Sequence, residues 1–185
     1  MALPATMYAF HVELSDVDRG VYEALELRLA RHPSETLRYM LTRLFAYCLE
    51  YEEGIAFSKE GLSNADEPPV SVRDRTGLLQ AWIDIGTPSA ERLHKAAKAA
   101  PRVSVFTAAA DLSLLQREAA TRVIHKADTI AVWRLDPILL DAIAERLGRT
   151  TRLGLTRTDG ALYVLIDGLT LEGQIVRGSL APAPA

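Results

Sequence analysis

The chain has 185 residues, 49% hydrophobic and 24% charged, an ordinary globular composition that excludes a disordered polyelectrolyte. Its formal net charge of −3 gives no support to strong non-specific DNA binding, which depends on excess Lys and Arg. A lone cysteine, Cys48, rules out an intrachain disulfide, and no signal peptide or membrane-spanning apolar run is visible. These features predict a cytoplasmic protein with no membrane partner, a single domain over 1–180 and a disordered Ala-Pro tail over 181–185.

In chain order, Tyr8, Phe10, Val12 and Leu14 alternate on one side of a strand over 6–14. A turn signal at 15–20 leads to Leu25, Leu27 and Leu29 alternating with Glu26, Arg28 and Ala30. The period of two outweighs the local helix preference of Glu, Ala and Leu, so an N-terminal hairpin is expected. His32-Pro33 ends it, because the residue before proline is driven away from helix geometry. Ser34 reads as the N-cap of an amphipathic helix over 35–52, with Leu37, Met40, Leu41, Leu44, Phe45, Cys48 and Leu49 on its apolar stripe.

A short strand at 55–58 and a loop at 61–69 follow, the loop carrying Asp66 and Glu67. Val70 and Val72 begin another strand, 74–77 is a turn, and 78–85 is a strand ending in Asp84 and Ile85. Thr87 and Pro88 then form a cap and first-turn pair for a helix running to residue 100. Strands over 102–108 and 129–135 alternate with helices over 111–123 and 136–147. Asp159-Gly160 and Asp167-Gly168 each divide apolar runs, which marks two tight hairpin turns. Strand–helix alternation in the middle, with hairpins at both ends, predicts an α/β protein: a central mixed sheet between helical layers, α/β/α.

Asp84 shares a strand face with Trp82 and Gly86, while Ile83 and Ile85 face the other way. A solvated strand residue is the plain reading. The functional one is a metal ligand at the C-terminal end of a strand, where α/β sheets place sites. Asp66 and Glu67 read as turn residues, or as partners of Asp84 around a cation such as Mg²⁺, which takes oxygen ligands and substrate phosphate. Glu35 lies in the first turn of the long helix, where its charge suits the dipole. Lys95 is a candidate cation for phosphate or water, although on a helical wheel it lies opposite Leu93, Ala96, Ala97 and Ala100. Arg92, flanking that apolar face, and Arg31, at the end of a strand, are further candidates for substrate contact. Zinc spacing, a P-loop and the dinucleotide glycine fingerprint are absent.

Four segments carry a family resemblance: Leu-Ala-Arg-His-Pro-Ser-Glu-Thr at 29–36, Ala-Asp-Glu-Pro at 65–68, Trp-Ile-Asp-Ile-Gly-Thr-Pro at 82–88, and Arg-Leu-His-Lys-Ala at 92–96. Together with the opening at 2–8 and the turn at 16–19, they resemble the YaeQ family of bacteria over nearly the whole chain. The resemblance implies a variant of the PD-(D/E)XK nuclease fold, with a restriction-endonuclease-like core. It implies Mg²⁺ or Mn²⁺ as cofactor and nucleic acid as partner. Glu35 then resembles the helix acid, Asp66 or Glu67 the second acid and Asp84 the third, with Lys95 as the displaced lysine. Gly86 departs from the pattern, since it stands where the lysine belongs. Two expectations follow: a metal-dependent nuclease or phosphodiesterase, or a non-catalytic module on the same fold that binds nucleic acid or a protein.

Overall fold

The computed structural model describes residues 5–59 and 66–181. Residues 182–185 of the expected 181–185 tail and residues 61–65 of the expected 61–69 loop lie outside the described residues. The N-terminal hairpin pairs β1 (Thr6–Asp16) with β2 (Val21–Arg31) along its whole length, from Thr6↔Arg31 to Asp16↔Val21. Alternation buries Phe10, Val12, Leu14, Leu25, Leu27 and Leu29 on one side. There follow α1 (Leu37–Leu49), β3 (Ile55–Phe57), β4 (Val70–Arg73), β5 (Leu79–Ile85), α2 (Ala90–Ala99), β6 (Arg102–Thr107), α3 (Ser113–Ala120), β7 (Ala131–Leu135) and α4 (Pro137–Ala144). The chain closes with β8 (Thr150–Thr158), β9 (Ala161–Ile166) and β10 (Leu169–Gly178). The two Asp-Gly turns joining these last strands hold both residues at positive φ, 50° and 76° at Asp159-Gly160 and 50° and 74° at Asp167-Gly168. That is the backbone a two-residue hairpin demands.

All the strands join one ten-stranded mixed sheet in the order β2-β1-β8-β9-β10-β7-β6-β5-β4-β3. The pairs β1·β8, β5·β6 and β6·β7 are parallel, and the others are antiparallel. Helix α1 touches β2 and β3, the two edges of that order, as well as β4, β5 and β6. The sheet therefore curls into a nearly closed barrel around α1. This explains why α1 is buried almost all round, Arg43 and Thr42 included. Helix α4 packs beside it against β10.

The outer face is covered unevenly. Leu93 and Ala96 of α2 and Leu115 of α3 bury Trp82, Val103, Val105 and Val132 of β5, β6 and β7. Tyr22, Tyr163 and Leu165 on outward positions of β2 and β9 are exposed. Helices on both sides of the sheet are thus confined to β5–β7. Among the described residues, no helix is long and apolar enough to cross a membrane.

Two helix starts differ from expectation. The N-cap of α1 is Thr36, whose hydroxyl accepts from the Tyr39 N–H at 3.1 Å, and not Ser34. The N-cap of α2 is Ser89, accepting from the Arg92 N–H at 3.2 Å, and not Thr87. Ser caps somewhat better than Thr, so at α1 the chain's entry path, and not intrinsic preference, makes the choice. At α1, the Glu35 N–H bonds back to the His32 carbonyl at 2.9 Å, which makes 32–35 a turn. At α2, Gly86 takes φ +84° and its N–H bonds to Phe106 O of β6 at 2.8 Å, so the sheet ladder continues past Ile85.

Candidate functional site

Asp84 lies near the C-terminal end of β5, on the outer face with Trp82, and is 2% exposed. Its carboxylate accepts from Arg92 Nε at 2.9 Å and 2.8 Å, one bond to each oxygen, and from Trp82 Nε1 at 3.0 Å. The Arg92 guanidinium also lies 5.3 Å from the centre of the Trp82 ring, in cation–π contact. Its terminal nitrogen donates to the main-chain oxygen of Glu67 at 2.9 Å. Arg92 therefore neutralises Asp84 and ties the Asp66-Glu67 segment to α2. Burial pushes the Asp84 carboxyl above its ordinary range, against the opposing pull of Arg92.

Glu35 sits in the turn before α1, 3% exposed. Arg43, two helical turns on, grips it with Nε at 2.9 Å and a terminal nitrogen at 3.0 Å, a bidentate fork inside the protein. The His32 N–H adds a bond at 3.1 Å, and Arg31 Nε donates to the Glu35 carbonyl at 2.8 Å. Burial pushes this carboxyl up as well, opposed by Arg43. Breaking such a pair by removing one partner costs about 3–5 kcal/mol, because the other charge stays buried.

The remaining candidates are on the surface. Asp66 is 80% exposed at its side chain and pairs with Lys95, which holds its carboxyl below the ordinary range. The Glu67 carboxylate accepts from Ser58 Oγ at 3.2 Å. The structure thus gathers Asp84, Arg92, Lys95, Asp66 and the Glu67 main chain around the start of α2. Glu35 and Arg31 belong instead to the inner side, with α1. Lys95 does not replace the missing lysine beside Asp84; Arg92 is the cation there.

Mg²⁺ requires several oxygen ligands at about 2.0–2.1 Å. Here the carboxylate oxygens of Asp84 and Glu35 are committed to guanidinium N–H groups. Among the described residues, no three His, Cys, Asp or Glu side chains come together as a metal set. The expected ligands Asp66, Glu67 and Asp84 therefore do not fit a divalent cation as they are arranged.

Sequence reasoning passed over three participants. Arg43 is an arginine at a position flanked by Leu41, Leu44 and Phe45 on α1, and its burial was the missing signal. Trp82 shares the strand face of Asp84, but nothing local in the sequence marks its indole N–H as the donor to that acid. Tyr39 packs against Gly86, where an added Cβ would meet its ring at 3.4 Å. It also lies within electrostatic reach of both acids and both arginines.

Comparison with known proteins sets this geometry in a family. A family model described as YaeQ protein matches residues 1–175. The YaeQ protein of Salmonella typhi is 34% identical over 175 residues, spanning 95% of this chain and 96% of that one. That of Escherichia coli K12 is 34% identical, spanning 93% and 94%. The crystal structure of YaeQ protein from Pseudomonas syringae superposes with a TM-score of 0.85 at 30% identity, over 97% of this chain and 100% of that one. The YaeQ protein structure from Xanthomonas axonopodis pv. citri gives 0.83 at 30% identity, over 96% and 99%.

Proposed function

The chain belongs to the YaeQ family, and from that premise we propose that it acts as a non-catalytic nucleic-acid-binding module on a PD-(D/E)XK-like scaffold. The scaffold part of this reading rests on the order of Glu35, Asp66-Glu67 and Asp84 along the chain. It also rests on the place of Asp84, near the end of a strand that pairs in parallel with β6 and is followed by a helix.

The single observation that carries the loss of catalysis is the capture of Asp84 by Arg92 and Trp82. A carboxylate so engaged is a structural anchor for the start of α2. Gly86 adds support: at φ +84°, with the Tyr39 ring close by, it is a strained position for a lysine. Nucleic acid is favoured over a protein partner because α2 exposes Lys95, paired with Asp66, and Lys98 one turn on, and spaced cations of this kind suit a phosphate backbone.

The test is one set of incubations with DNA and RNA, with and without Mg²⁺ or Mn²⁺, read both for strand cleavage and for binding by fluorescence anisotropy. Salt-dependent binding without cleavage is expected. Metal-dependent turnover that disappears in Asp84→Asn would overturn the reading and return the protein to the nucleases.

A further inference from the structure

We propose that the sugar-phosphate backbone of a nucleic-acid duplex lies along a groove on the outer side of α2, held by Lys98 of that helix and by Arg122 of the connection between α3 and β7, beside Lys95, which is paired with Asp66. This rests on the binding reading above and gives it a location away from Asp84. The groove has a volume of about 410 Å³, and its lining combines these three cations with His94, Glu91 and Ala99.

Several features make it a built surface. Lys95 and Lys98 stand three residues apart on α2, so they occupy the same face of the helix. The connection that carries Arg122 is pinned to α2, because the His125 N–H donates to His94 Nδ1 at 3.2 Å and the two rings meet edge to face at 6.5 Å. The same connection holds Lys126 in the left-handed region at φ 48° and leaves Val123 87% exposed. Neither Lys98 nor Arg122 forms an ion pair among the described residues, and both are exposed. Lys95 is held by Asp66 and Glu91 lies in the lining, so Lys98 and Arg122 are the cations left to meet a phosphate.

The chemistry points to phosphate oxygens of a duplex. Lysine ammonium groups supply point charges, and arginine offers a planar fork of donors suited to phosphate. The lining has no Phe, Tyr or Trp on which unpaired bases could stack, so it lacks what single-strand binding uses. Contacts to the backbone alone carry no base sequence, and they make affinity steeply dependent on salt.

The experiment measures anisotropy of a labelled duplex against the full chain across a range of NaCl concentrations. Lys98→Ala and Arg122→Ala are each expected to weaken binding at low salt and to flatten the slope of log K against log salt by about 0.9, one phosphate contact each. Arg152→Ala, exposed on β8, is expected to match wild type, and circular dichroism checks that all three variants keep the fold. If the Lys98 and Arg122 variants superpose on wild type while wild type binds, the groove is overturned and the binding reading stands. If wild type binds neither the duplex nor a single strand, both fall. A single strand of the same length that binds more tightly than the duplex overturns the duplex assignment.

Discussion

Tyr39 is where the two acid–arginine pairs meet electrostatically. Its phenol is pushed up to about 12, first by burial and next by the negative charge of Asp84, with Arg43 pulling the other way. The sign follows from the folded value lying above the ordinary tyrosine value of 10.0. The neutral phenol's contribution to stability is complete below pH 10 and is lost as pH rises toward 12. Asp84→Asn removes the second cause and leaves the first, so Tyr39 is expected to ionise at lower pH than in wild type yet still above its ordinary value. Phenolate absorbance, taken as the difference from Tyr39→Phe, isolates this group among the six tyrosines. An unchanged midpoint in Asp84→Asn would mean that Tyr39 does not sense the acid. At this scale the sequence displayed the acids but not their state. Glu35 and Asp84 stand out by order and spacing, whereas their neutralisation depends on Arg43 and Arg92, each eight residues further on. Only the tertiary path brings those partners back.

At the level of elements, the boundaries test how the chain enters its helices. Thr36→Ala is expected to cost about 1 kcal/mol, the usual value of a lost N-cap. Ser34→Ala, at an exposed residue whose hydroxyl bonds to the nearby His32 ring at 2.6 Å, is expected to stay within about 0.5 kcal/mol. Urea unfolding of the two variants settles it, and the reverse order would show Ser34 to be the working cap. The strands and both Asp-Gly hairpins were readable because period two and the turn chemistry are local properties. The helix starts were not, because candidate caps stand two residues apart at each site and long-range bonds choose between them. The other end of α1 makes the same point. Its C-terminal region is closed by Arg19, which donates to Leu49 O at 2.7 Å and Tyr51 O at 3.0 Å from about thirty residues upstream. No local pattern announces that contact.

For the molecule as a whole, alternation predicted a mixed sheet but not its curvature. The closing contacts, β1 with β8 and α1 with both sheet edges, join segments far apart in sequence, and periodicity carries no record of them. Curvature also separates the candidate acids: Glu35 goes inward with α1, while Asp84 goes outward under α2. This separation bears directly on metal binding. A cation held by the folded chain and not by the unfolded one stabilises it by about 2.7 kcal/mol at a hundredfold excess over Kd. Here such a cation would first have to displace Arg92 from Asp84, leaving a partly buried guanidinium without its main anion. Millimolar MgCl₂ or MnCl₂ is therefore expected to leave the thermal midpoint where NaCl of equal ionic strength leaves it. A rise above that control, absent in Asp84→Asn, would show that the cation wins the carboxylate from the arginine, and the nuclease reading would then regain its metal.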